Sequence, residues 1–156
     1  MKPTVYLETT IPSLLTAWPS RDLFVAGQQQ ATRDWWDERR HHYELFVSVL
    51  VMKEVERGDA NAAKDRLAKL KDCRVLPYPK AAEELTRALM FSRLIPAKAE
   101  TDAAHVATAA VHGMDFLLTW NCRHIANAAI VEQLRDVCAR EGFPAPVICT
   151  PHELMV

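Results

Sequence analysis

The sequence predicts an α/β protein, an α/β/α sandwich built on one doubly wound, five-stranded parallel sheet. Three observations carry that reading. Apolar runs of strand length, rich in β-branched and aromatic residues, occur at 4–7, 45–49, 74–76, 116–120 and 147–149. Segments of helical length with apolar residues at helical spacing separate them, so strand and helix alternate from end to end. No internal repeat or linker interrupts the alternation, and 156 residues are enough to bury a single core, so 1–156 is taken as one domain.

Residues 4–7 form the first strand, which stops at Glu8-Thr9-Thr10. Pro12 suits the first turn of a helix that Thr10 caps and that ends before Pro19. Residues 20–42 form a long helix with Ser20 as cap, Asp22 in its first turn and the basic run Arg39-Arg40-His41-His42 at its far end, as the helix dipole favours. Its Leu23, Phe24, Trp35 and Trp36 are bulky enough to be expected in the core or at a subunit interface.

The second strand, 45–49, feeds a short helix, 50–57, whose Val51, Met52 and Val55 turn inward. Glu54 sits between these apolar positions, so its carboxylate can point along the sheet edge; the plain alternative is a border Glu in water. Gly58 ends that helix, and 60–71 forms the next, with Lys64, Arg66, Lys69 and Lys71 as a solvated basic face. The short third strand, 74–76, is punctuated by Pro77 and Pro79, and the helix 81–93 is amphipathic through Leu85, Ala88 and Leu89.

A helix of small residues spans 98–112, with Asp102 in its first turn, and leads to the fourth strand, 116–120. Thr119 and Asn121 fall at the carboxyl end of that strand, ahead of a polar turn, 121–127. The last helix, 128–141, turns Ile130, Leu134, Val137 and Cys138 inward and stops at Gly142. The fifth strand, 147–149, precedes a terminal turn at Pro151-His152-Glu153.

Composition narrows the function. The chain is 49% hydrophobic and 25% charged, which is the make-up of a folded globule rather than a disordered chain. With a net charge of −1, a polyanion has to be bound by a local basic patch, because no global field draws it in. Arg123, in the turn beside Asn121, is the first candidate for a phosphate contact, and Arg39-Arg40 the second. Four cysteines without a C-x-x-C spacing encode neither a zinc ribbon nor a thioredoxin-type pair and read as reduced cytoplasmic thiols. The amino terminus has no signal-peptide core, and no run reaches membrane-spanning length, so no membrane partner is expected. No glycine-rich phosphate loop follows the first strand, which argues against a nucleotide-binding protein.

Ligands of open α/β sheets bind at the carboxyl ends of strands, where strand order reverses. Glu8 follows the first strand, Glu54 lies after the second, Asp102 opens the helix before the fourth, and Asn121 follows the fourth. If the first and fourth strands are neighbours, these side chains share one pocket. Taken singly, Asp102 is a helix-start acid and Asn121 a turn residue; their convergence is what singles them out. Oxygen-only ligands suit Mg²⁺ or Mn²⁺, which lowers the pKa of a bound water and neutralises charge during phosphodiester cleavage. Without a metal such carboxylates repel, and at least one is expected to titrate high. His105 and His112 lie near the Asp102 face of the helix and are expected beside the ligands or at the surface, not as ligands.

Tyr-Leu-Glu-Thr-Thr at the start, the acid Glu54, Thr-Asp-Ala-Ala-His-Val-Ala in the middle and Leu-Leu-Thr-Trp-Asn near the end resemble the motifs of the PIN domain family. The resemblance extends over nearly the whole chain and is closest to the VapC-like toxins of bacterial type II toxin-antitoxin modules. It implies a PIN-like nuclease: a Mg²⁺- or Mn²⁺-dependent endoribonuclease, commonly a dimer, held inactive by an antitoxin peptide that covers the acidic pocket. On that reading Glu8, Glu54, Asp102 and Asn121 are catalytic, and Glu8, Glu54 and Asp102 hold the metal. Thr10 and Thr119 support them or orient the substrate, and Arg123 binds RNA. Two positions depart from the family pattern, which usually has Asp where this chain has Glu8 and commonly Asp where it has Asn121. The alternative is a PIN-like RNA- or protein-binding module that has lost the metal chemistry.

Overall fold

The computed structural model describes residues 1–155. Its strands are β1 (Thr4–Leu7), β2 (Glu44–Ser48), β3 (Arg74–Leu76), β4 (Phe116–Leu118) and β5 (Val147–Cys149). They pair in parallel throughout, as the alternating pattern predicts, and stand in the order β3-β2-β1-β4-β5. The chain builds outward from β1 to β3 and then returns to the other side of β1, so strand order reverses between β1 and β4. In register, Val5 lies beside Leu45 on one side and Phe116 on the other.

A parallel strand covered on both faces reads as an unbroken apolar run, and Val5, Tyr6 and Leu7 are all buried. The covering helices are α1 (Thr10–Thr16), α2 (Leu23–Glu38), α3 (Val49–Val55), α4 (Ala60–Leu70), α5 (Lys80–Phe91), α6 (Glu100–Val111) and α7 (Val131–Arg140). Every residue of α6 from Ala103 to Ala110 is buried, and its alanines allow neighbouring backbone to pack close. Among the described residues no helix is long and apolar enough to cross a membrane.

Several boundaries move for identifiable reasons. The segment 20–42 begins as helix only at Leu23, because Asp22 rather than Ser20 is the cap and accepts from the Val25 N–H at 3.0 Å. It stops at Glu38 and gives way to a 3-10 turn, Arg40–His42. Trp35 and Trp36 are in the core as expected, but Leu23 is 90% and Phe24 74% exposed. The helix first meets the core at Gln29, so its opening turn faces solvent in the single chain.

Other strand and helix ends move by one to three residues. Strand β2 ends at Ser48, whose Oγ caps α3 by accepting from the Leu50 and Val51 N–H groups. Helix α1 is entered from Thr9, not Thr10, and neither hydroxyl caps it, because both are spent on carboxylates. Strand β4 ends at Leu118, and α7 starts at Val131, after the Asn127 side chain has accepted from the Ala129 N–H.

Candidate functional site

The N–H of Glu8 donates to the Leu118 carbonyl at 3.1 Å, which extends the β1–β4 pairing by one residue and sets Glu8 at the point of strand reversal. The side chain is 4% exposed, and three donors converge on one of its oxygens. Oε1 accepts from the Thr10 N–H at 3.2 Å, the Thr10 hydroxyl at 2.6 Å and the Thr119 hydroxyl at 2.6 Å. Each hydroxyl in turn accepts a backbone N–H, Thr10 from Trp120 and Thr119 from Asn121, both at 2.9 Å. Glu8 therefore ties the ends of β1 and β4 and the start of α1 into one unit.

Glu54, on α3, forms a second group, joined to the first through the chain at Thr9 and Thr10. Its Oε1 accepts from the Thr9 hydroxyl at 2.8 Å and lies 2.5 Å from His105 Nε2. His105 comes from α6 and is fully buried. Its other ring nitrogen, Nδ1, is 2.6 Å from the hydroxyl of Tyr6 on β1, which is 2.7 Å from Ser48 Oγ at the end of β2. One polar chain thus runs from Ser48, the cap of α3, through Tyr6 and His105 to Glu54 on the same helix.

Burial acts to raise the Glu54 carboxyl, but the hydrogen bond and electrostatic attraction of His105, the Thr9 hydrogen bond and the charge of Arg57 outweigh it and hold the group below its ordinary value. Glu54 is thus held low rather than high, because donors rather than like charges face its Oε1. Burial pushes the Tyr6 phenol far above its usual range; the Ser48 hydrogen bond opposes this, and the charges of Glu8 and Glu54 add to it. Tyr6 therefore stays a neutral hydroxyl.

Asp102 lies in the first turn of α6, one helical turn before His105, and is half-buried without a side-chain hydrogen bond among the described residues. Asn121 is half-buried, and its Oδ1 accepts from the His124 N–H at 3.0 Å, so the amide also organises the following turn. Arg123 is exposed in that turn. Arg40 lies elsewhere: with Lys2 and Glu44 it lines a cavity of about 340 Å³ at the amino ends of the strands, and it stacks on Trp36. This removes it from the carboxyl edge.

Among the described residues, no three His, Cys, Asp or Glu side chains come together as a ready metal cage. What the fold brings together is two carboxylates in separate hydrogen-bond groups, Glu8 with Thr10 and Thr119, and Glu54 with Thr9 and His105. Sequence reasoning placed His105 near the ligands and missed Thr9, Tyr6 and Ser48. A polar residue capping the helix after β2 is a readable signal for Ser48; Tyr6 in a buried strand carries none.

No family model matches the sequence, and no curated protein matches it. Solved structures do resemble it over nearly the whole chain. VapBC2 from Rickettsia felis bound to a DNA fragment from its promoter is 12% identical, with 94% of this chain and 98% of that chain covered and a TM-score of 0.56. FitAB bound to the IR36 DNA fragment is 15% identical, with 97% of each chain covered and a TM-score of 0.57. FitAcB from Neisseria gonorrhoeae is 14% identical, with 97% of this chain and 100% of that chain covered and a TM-score of 0.57. At such identities the likeness is one of fold, and the fold is the VapC-like PIN fold that the sequence motifs imply.

Proposed function

We propose that this chain, with its PIN-like fold, is a divalent-metal-dependent endoribonuclease that hydrolyses RNA phosphodiester bonds as the toxin of a toxin-antitoxin module. The observations that support the reading are Glu8 at the β1–β4 reversal, Glu54 tied by the Thr9 hydroxyl to the segment that follows β1, and Asp102 one turn from the histidine that grips Glu54. Three acidic side chains around the carboxyl edge of a parallel sheet suit a reaction in which negative charge builds on a phosphate.

The donor chemistry fits Mg²⁺ or Mn²⁺. Oε2 of Glu8, Oε2 of Glu54 and both oxygens of Asp102 accept no hydrogen bond among the described residues, so each acid keeps an oxygen for an ion. Mg²⁺ commonly takes only one or two carboxylates and keeps several waters, so a preformed three-residue cage is not required. Glu8, Glu54 and Asp102 would hold the ion, which when bound supplies a more acidic water and neutralises developing charge. The chain's own part is orientation. Thr10 and Thr119 hold Glu8, His105 and Thr9 hold Glu54, Asn121 sets the turn that carries Arg123, and Arg123 takes the RNA phosphate.

VapBC2 and FitAB were solved bound to DNA, and by analogy with such complexes an antitoxin is the protein partner proposed for this chain. A homodimer is supported by the exposed Trp18, Leu23 and Phe24, whose apolar surface a second chain would cover. The four free cysteines support a cytoplasmic setting. Titration of Mn²⁺ into the protein, followed by cleavage assays on structured and unstructured RNAs, tests the proposal. Metal binding with metal-dependent cleavage supports it. The second reading, a non-catalytic RNA- or protein-binding module, is favoured by the absence of a ready cage among the described residues and by the uncharged Asn121. RNA binding without Mn²⁺ binding or cleavage would establish that reading instead.

A further inference from the structure

We infer that His105 is a positioning residue, an imidazole with its proton on Nε2 that locks one oxygen of Glu54 and leaves the other free, at the end of a hydrogen-bond chain directed from Ser48 through Tyr6. The direction follows from counting donors and acceptors. Ser48 Oγ accepts the Leu50 and Val51 N–H groups at 3.2 and 3.3 Å, which uses both of its lone pairs. Its own proton is therefore the one that faces Tyr6, 2.7 Å away. The Tyr6 oxygen accepts that proton and gives its own to His105 Nδ1 at 2.6 Å.

An accepting Nδ1 puts the imidazole proton on Nε2, which faces Glu54 Oε1 at 2.5 Å. A proton on Nδ1 would instead send two donors into the Tyr6 oxygen and leave the phenolic proton without an acceptor, in a site where Tyr6 and His105 are both fully buried. The N-terminal N–H groups of α3 thus set the polarity of the chain, and the chain fixes which tautomer meets Glu54. The functional half of this inference rests on the nuclease reading of Glu54; the tautomer does not.

Nitrogen NMR of ion-free protein carrying ¹⁵N-labelled histidine, at neutral pH, tests the first half, with His105→Gln assigning the signal among the six histidines. The expected spectrum has Nδ1 of His105 unprotonated and Nε2 protonated, and Tyr6→Phe, which deletes the donor to Nδ1, shifts the Nδ1 resonance. A proton on Nδ1, or an Nδ1 signal indifferent to Tyr6→Phe, would overturn the directed chain. For the second half, His105→Gln keeps an N–H that can reach Glu54 and His105→Leu does not. His105→Leu is expected to cost about 10–100-fold in Mn²⁺ affinity or turnover, the usual effect of losing a residue that orients a metal-binding side chain. His105→Gln recovers most of that loss, with KM for RNA unchanged in both. Equal losses in the two variants overturn the positioning role. If wild-type protein cleaves no RNA, the nuclease reading fails, while calorimetric Mn²⁺ affinity and the NMR result still decide the inference.

Discussion

Replacing Thr119 by valine keeps the shape of the side chain and removes one hydroxyl on which two contacts depend, one buried and one half-buried. That hydroxyl donates to Glu8 Oε1 at 2.6 Å and accepts the Asn121 N–H at 2.9 Å, and Thr119 is fully buried. A hydrogen bond to a charged group contributes about 1.5–3 kcal/mol, and a stranded N–H adds about 1 kcal/mol more, so Thr119→Val is expected to cost about 2.5–4 kcal/mol. At ~2–4 °C per kcal/mol for a domain of this size, the melting temperature falls by roughly 5–16 °C. Equilibrium unfolding in urea reads the loss as a lower midpoint at constant slope. The same substitution in a Glu8→Leu background is expected to cost clearly less, because the buried carboxylate that needs the hydroxyl is gone. A Thr119→Val protein within about 0.5 kcal/mol of wild type, the range of ordinary surface substitutions, would refute the hydrogen-bond account of how Glu8 is held.

Arg123→Ala, if Arg123 contacts one phosphate, flattens the dependence of log RNA affinity on log salt by about one unit; an unchanged slope in filter-binding or fluorescence titrations removes it from the binding surface. Because Glu54 is held below its unfolded-state value, it contributes stability that is present above the ordinary carboxylate range and lost as pH falls through the folded-state value, so Glu54→Gln should flatten that acid limb in a pH series of thermal melts. Calorimetric titration should find that Asn121→Asp tightens Mn²⁺ binding by adding charge and Glu8→Gln weakens it by removing charge. Both affinities unchanged would mean that neither side chain faces the ion, which favours the non-catalytic reading.

The sheet was legible because buried parallel strands are written as uninterrupted apolar runs, and the bounds of β1, β3 and β5 match the runs residue for residue. Strand and helix ends were less legible wherever a polar side chain had a choice of partner: Ser48, the last residue of β2, caps α3, and Thr9 and Thr10 serve Glu54 and Glu8 instead of capping α1. Leu23 and Phe24 show the limit of apolar pattern, which says that a surface is greasy but not that anything covers it. The acids at strand ends could be named from chain order alone. Thr10 and Thr119 stand in the motifs that carry the resemblance and were legible with them, whereas the pairing of His105 with Glu54, 51 residues away, was not. His105 stood out as a histidine on the Asp102 face of its helix, but its bond to Tyr6 crosses 99 residues, and only the folded sheet brings that pair together.

The most direct test of the central claim is RNA cleavage by Asp102→Asn beside wild type, with Mn²⁺ supplied and the melting curve of each protein recorded. The Asp102 side chain makes no hydrogen bond among the described residues and sits half-buried at a helix start, so the change should leave the fold nearly as stable as before. The account predicts metal-dependent cleavage by the wild-type protein and none by Asp102→Asn, with nearly superimposable melts. Cleavage by Asp102→Asn at the wild-type rate would contradict it.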